Sequence, residues 1–336
     1  MTVTLPQIVN SNQLFPDNLI DGNQDSIFYW LNRYGQTKVV GSPEGTIRAK
    51  KSDLQLFTNF FVAIVGTDVV DFWTPSVSKS FKSWLQTDSP VKPERAFQKP
   101  YAPTSINRML ATLRHFAGFI ADQRPFIAGN PFDGVRDLVV STPDWKGVDD
   151  VSLMRIRAAL DQVTQLSSRR HQMPLRNRAV FTLALDSGLR SFEITSLNFD
   201  QYQGKYLKDV RGKGDQYADV YLSTSVRQEL DAYIAEERGI NPGPLFITNR
   251  GGRICRQQIY RFLQLVANQA NARISENEKI HLSAHMLRHT SVKKVHDQKG
   301  AVIAKKFSRH RSFAQLERYA SQTKQEHEEM VEKLWD

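Results

Sequence analysis

The sequence predicts a mainly α-helical chain of two domains: a helical N-terminal domain, then a mixed, mostly α domain with a small β-hairpin. Three observations predict it. The chain has 336 residues, long for one compact domain and comfortable for two. Apolar residues recur near helical spacing along most of it. One stretch, "KYLKDVRGKGDQYADVYLS" at 205–223, changes character and flanks a glycine-bearing turn with strand-forming residues.

In the first domain, "EGTIRAKKSDLQLFTNFFVAIVG" (44–66) carries apolar residues at helical spacing. "TPSVSKSFKSWLQT" (74–87) is a shorter helix with Thr74 as its cap and Pro75 in its first turn. The proline-rich "SPVKPERAFQKPYAP" (89–103) is a loop, since each proline removes a donor and resists helix. "TSINRMLATLRHFAGFIADQ" (104–123) is the clearest helix, with Ile106, Met109, Leu110, Leu113, Phe116 and Ile120 on one face. These helices make a domain over residues 1–130. "NPFDGVRDLVVSTPDWKGVDD" has proline and glycine punctuation and no clear period, so 131–150 reads as linker. Residues 151–336 form the second domain. It opens with helices over 151–163 and 174–188, and Tyr206, Val210, Tyr217, Val220 and Leu222 flank the hairpin turn at 212–215.

Composition bounds the function. Hydrophobic content is 40% and charged content 24%, ordinary for a globular protein with a sizeable core. The single cysteine, Cys255, permits no intrachain disulfide, which fits a reducing, cytoplasmic compartment. "MTVTLPQIVNSNQ" lacks the basic-then-apolar pattern of a secretory signal. The longest apolar run, "FFVAIVG", falls far short of the ~20 residues that span a membrane, so no membrane partner is expected. The net charge is +10. Residues 1–144 hold 14 Lys and Arg against 13 Asp and Glu, and residues 145–336 hold 31 against 22. The excess base therefore lies in the second domain, where a polyanion such as nucleic acid is the commonest partner.

Several chemistries can be set aside. No G-x-x-x-x-G-K-[ST] and no G-x-S-x-G occurs. His285 and His289 have the i, i+4 spacing of a zinc helix, but no glutamate follows His285 and Arg288 lies between the pair. No metal and no cofactor is expected. What remains suits phosphate. Arg190 stands at a helix junction in "DSGLRSFEI", where Gly188 ends one helix and Ser191 starts another. Glu193, one turn on, is placed to hold a neighbouring base. Lys213 lies on the hairpin turn, where nearby cations would lower its pKa and let it donate a proton. His285 and Arg288 share a helical face in "HLSAHMLRHT", and the planar fork of Arg288 suits two phosphate oxygens. His310 and Tyr319 follow in "FSRHRSFAQLERYA". Packing alone also explains Tyr319, whose spacing from Phe313 and Leu316 fits a helix face.

Taken in order, Arg190, Lys213, His285-x-x-Arg288, His310 and Tyr319 resemble the tyrosine recombinase (phage integrase) family. "SGLRSFEI" is similar to its first arginine box, "RGKG" to its hairpin lysine and "HMLRHT" to its H-x-L-R-H box, and His310 precedes Tyr319 by nine residues as in the family. The resemblance covers roughly 150–325 by motif, and the N-terminal domain only in length and character. It departs at Arg309, where the family has glycine, and in "RSFAQLERY", which lacks the usual threonines. Neither position is expected to carry chemistry. The resemblance implies a tyrosine recombinase catalytic fold and a site-specific recombinase whose two domains clamp double-stranded DNA at an inverted-repeat site. Tyr319 would attack a phosphodiester and form a 3′-phosphotyrosine, without ATP or metal. Arg190, Arg288 and His310 would stabilise the phosphate, His285 would serve as acid/base and Lys213 would protonate the leaving 5′-oxygen. It further implies that the terminal helix "TKQEHEEMVEKLWD" (323–336) docks on a neighbouring subunit of a homotetramer. The alternatives are a type IB topoisomerase and a DNA-binding protein without cleavage activity.

Overall fold

The computed structural model describes residues 23–87, 100–140, 147–165, 173–212, 214–272, 274–310, 312, 313 and 316. Within it the chain divides into two compact units, Met1–Ser141 and Thr142–Asp336.

The first unit has four α-helices among the described residues: α1 (Ile27–Tyr34), α2 (Glu44–Val65), α3 (Pro75–Thr87) and α4 (Pro103–Ala121). α2 ends where Gly66 turns left-handed at φ 79°, as helices that need a C-terminal stop commonly do. α3 begins as the sequence indicates, with the Val77 N–H donating to the Thr74 hydroxyl. All six apolar residues assigned to one face of α4 are buried. They meet an aromatic core in which Trp73 packs against Phe57, Phe116, Phe126 and Phe132.

The stretch expected as linker contributes to both cores. Phe132 and Val135 are buried in the first unit and Val148 in the second, and the division falls between Ser141 and Thr142. Burying those side chains outweighs the looseness implied by the prolines and glycines around them.

The second unit is mostly helical: α5 (Asp150–Gln165), α6 (Pro174–Ser187), α7 (Ser191–Ser196), α8 (Thr224–Tyr233), α9 (Arg256–Ala270) and α10 (Ala284–Ser308). The hairpin forms as β2 (Tyr206–Arg211) and β3 (Tyr217–Tyr221), and a two-residue β1 (Tyr202–Gln203) adds to β2, making an antiparallel sheet in the order β1-β2-β3. Sequence patterning missed β1, because two residues carry no period. Leu207 pairs with Val220 and Val210 with Ala218, so β2 spends three steps where β3 spends two. This bulge, with Asp209 at φ 48°, lets Leu207 and Val210 both face the core although they are three residues apart. The tip is closed by the Gly212 N–H donating to the Gln216 carbonyl at 2.6 Å.

α10 is kinked. Gly300 has φ 79° and ψ 169° inside it, a region essentially restricted to glycine. A straight helix would carry Ser308 about 30 Å from Arg288, at 1.5 Å per residue. Instead Arg288 Nη2 donates to the Ser308 carbonyl. The chain doubles back at Gly300, and Val292 before the kink clusters with Ala304 and Leu316 after it.

Candidate active site

Four backbone junctions build the site: the α6–α7 corner, the hairpin tip and the two ends of α10. At the corner, Gly188 is left-handed (φ 59°), and a Cβ there would lie 2.8 Å from the Phe307 ring and 3.3 Å from the Ser291 hydroxyl. Only glycine fits, on conformation and on space alike. Arg190 caps α7 with extended backbone. Its N–H donates to Glu193 Oε2 at 2.9 Å and its Nη1 to Glu193 Oε1 at 2.8 Å. Glu193 is 0% exposed, Arg190 28%.

A second cation meets the same carboxylate: Arg309 Nη2 donates to Glu193 Oε2 at 2.9 Å. Burial alone would push the Glu193 carboxyl up. The Arg309 guanidinium, the Arg190 N–H and the Arg190 guanidinium together overcome burial and hold it below the ordinary carboxylate range. The expectation that Glu193 secures a neighbouring base thus meets two bases in the structure. The hairpin tip closes on the same group, since a Cβ at Gly212 would lie 3.8 Å from Glu193 Oε1.

Arg288 is 1% exposed. Its Nη1 donates to the Gly188 carbonyl and its Nη2 to the Ser308 carbonyl, and Nη2 lies 3.3 Å from His310 Nε2. The open fork read from sequence is therefore largely turned inward, tying the corner before Arg190 to the segment that bears His310. The physical reason is the kink, which brings the end of α10 over its own first turns. His310 is half-buried, and its Nδ1 lies 2.7 Å from the Ser308 hydroxyl. His285, one turn before Arg288, is exposed and stacks edge-on with His289 at 4.3 Å. It opens on a depression of about 560 Å³ also lined by Ser191, Cys255, Tyr260 and Ser283. The N-termini of α9 and α10 both open there, capped at Cys255 and Ser283, and their positive dipole ends suit anions.

Arg190 and Glu193 are thus tied to Arg309, and Arg288 to the Gly188 and Ser308 carbonyls and His310, so the two sets meet through the Gly188 corner and the 308–310 backbone; His285 lies a turn away on α10. Lys213, Tyr319 and the terminal helix at 323–336 lie outside the described residues. The residue that sequence reasoning passed over is Arg309. Its departure from the family's glycine is not expected to carry chemistry, yet its guanidinium reaches Glu193. The available signal was its place at a helix end where the left-handed region favours glycine.

The phage integrase family model matches residues 157–326. A tyrosine recombinase XerC of Thermodesulfovibrio yellowstonii is 30% identical over 78% of this chain and 81% of its own length. The chain belongs to the phage integrase family. Members of this tyrosine recombinase family are DNA strand-transferring enzymes. The tyrosine recombinase XerD of Chlamydia pneumoniae is 22% identical over 71% of this chain and 76% of its own. Among solved structures, the XerH site-specific recombinase bound to a palindromic difH substrate aligns with TM-score 0.69 at 16% identity, covering 96% of this chain and 92% of that one. A lambda integrase dimer bound to a core site aligns with TM-score 0.66 at 15% identity, covering 88% and 77%. At these identities both likenesses speak to the fold. Among the described residues no helix is long and apolar enough to cross a membrane.

Proposed function

We propose that this integrase-family chain recombines DNA at a defined site, using Tyr319 as nucleophile and the Arg190–Glu193–Arg288–His310 network as its phosphate-binding machinery. The observation that carries the proposal is that network. Residues 100 or more apart in sequence meet at the Gly188 corner and beyond the Gly300 kink, and cationic side chains lie against a carboxylate and a histidine. Attack by the Tyr319 oxygen on phosphorus forms a 3′-phosphotyrosyl bond and breaks the bond to the 5′-oxygen, which leaves as a hydroxyl. The bond energy is conserved, so the 5′-hydroxyl of a second strand reverses the step without a nucleotide. Charge grows on the non-bridging oxygens during attack, and preorganised guanidinium and imidazole groups stabilise it. His285, on the open depression, takes the tyrosine proton. Lys213, next to Gly212, returns one to the leaving oxygen.

The natural substrate in this reading is duplex DNA bearing an inverted repeat. It is bound by a homotetramer at the nucleoid, each terminal helix at 323–336 docking on a neighbour.

The test is to incubate the chain with a library of random duplexes, trap covalent adducts and sequence them. The expected result is one recurrent half-site, and no adduct with Tyr319→Phe. Adducts on any duplex, with relaxation of plasmids lacking the site, would instead indicate a topoisomerase. Binding to DNA without any adduct would indicate a protein that does not cleave.

A further inference from the structure

Arg309 is held in a costly state. Its backbone is left-handed (φ 55°, ψ 38°) at the end of α10, a conformation that an L residue with a long side chain disfavours. Its side chain is only 18% exposed, and its buried Nε has no hydrogen-bond partner among the described residues. Burial lowers the pKa of its guanidinium, and the Glu193 charge offsets this only in part. Glycine would relieve every one of these costs. Strain that the surroundings maintain is a reason to look for function at the residue.

The local charges supply one. Glu193 is completely buried, and its two oxygens are divided: Oε1 receives Arg190 Nη1, and Oε2 receives Arg309 Nη2 and the Arg190 N–H. With glycine at 309, Arg190 and Glu193 would form a neutral pair. With arginine there, two guanidiniums share one carboxylate, and the cluster keeps one net positive charge beside the His310 segment.

We propose that Arg309 is a positioning residue for strand cleavage: by neutralising Glu193 from the second side, it leaves the charge of Arg190 available to the scissile phosphate. This rests on the reading above that Arg190 faces that phosphate. Arg309 acts through Glu193, and its own guanidinium is committed to the carboxylate.

The test uses the full chain and the duplex recovered by covalent trapping, nicked so that cleavage is not reversed. Arg309→Gly suits the left-handed backbone, so it folds, and its melting temperature is the control for that. Single-turnover cleavage should slow by about tenfold or more, with little change in half-site Kd, and Arg309→Lys should recover part of the rate. In a Glu193→Gln background there is no carboxylate charge to neutralise, so adding Arg309→Gly should have a much smaller effect.

Unchanged cleavage in Arg309→Gly overturns the inference while leaving the recombinase reading intact. So does a loss of rate that is matched by a loss of affinity, which would make Arg309 a direct DNA contact. An undiminished effect in the Glu193→Gln background overturns it too. If the wild type forms no adduct at all, the recombinase reading fails and the inference falls with it.

Discussion

At the scale of single residues, Arg288 ties the Gly188 and Ser308 carbonyls together, and Glu193 holds Arg190 and Arg309. Arg190, Glu193, Arg288 and His310 were legible because each sits in a short motif, and the order of the motifs adds what no single one carries. The inward turn of Arg288 was not legible, since nothing local announces that a helix folds back on itself. It changes the expected behaviour of a variant. Arg288→Ala should slow cleavage by orders of magnitude, as a phosphate ligand would. It should also lower stability, because it leaves the Gly188 and Ser308 carbonyls without their donors at a cost of about 1–3 kcal/mol for each buried group left unpaired. Thermal melting run beside the cleavage assay reads both effects, and a rate loss with unchanged melting would return Arg288 to a purely phosphate-binding role. Glu193 gives a pH test. Its folded carboxyl lies below its ordinary value, so the stability it contributes is present above the unfolded pKa and is lost as pH falls through the folded one. The stability gap between wild type and Glu193→Gln should therefore narrow on acidification in urea titrations across the carboxylate range.

At the scale of elements, helices and the hairpin were readable from period and punctuation, and the exceptions share a cause. β1 is too short to show a period. The bulge at Asp209 is a local departure that only the pairing register reveals, and the kink at Gly300 hides inside a stretch that otherwise continues as helix. The buried ends of the 131–150 stretch were missed for a related reason: turn residues mark where a chain bends, not whether its few apolar side chains find a core. Of these features the kink matters most to the site, because it brings the His310 segment back over Arg288. Gly300→Ala tests it. At φ 79° and ψ 169° the substitution is strained by about 1–3 kcal/mol. Apart from its chain neighbours and the adjacent helix backbone, no atom lies within 4 Å of the added Cβ, so the penalty is conformational rather than a clash with another part of the fold. Alanine would favour straightening the helix, drawing Ser308 and His310 away from Arg288. Cleavage and melting temperature should then fall together, and amide exchange should quicken in the segment after residue 300. Gly188→Ala should be at least as damaging, since conformation and the Phe307 ring oppose it at once. If Gly300→Ala left cleavage untouched, the kink would be incidental to the site.

At the scale of the whole molecule, the uneven distribution of charge is the property that sequence alone makes plain. Residues 145–336 hold 31 Lys and Arg against 22 Asp and Glu, whereas residues 1–144 are nearly balanced. Part of that base is internally committed. Arg178 bonds Asp161 and Glu229, Arg309 bonds Glu193, and Arg238 is spent on backbone carbonyls. These cations release no counterions when DNA binds, so the raw excess overstates the number of phosphates engaged. Affinity for the recovered half-site should fall linearly on a log–log plot against salt, with a slope of roughly −0.9 for each phosphate neutralised. Substituting exposed Arg256, at the start of α9 and lining the depression beside His285, should make the slope shallower by about one. Substituting Arg178, which is paired within the fold, should leave the slope unchanged and lower stability instead. Fluorescence anisotropy across a salt series distinguishes the two. A slope near zero would remove nucleic acid as the partner, and an equal change of slope for both variants would mean that the internal ion pairs open when DNA binds.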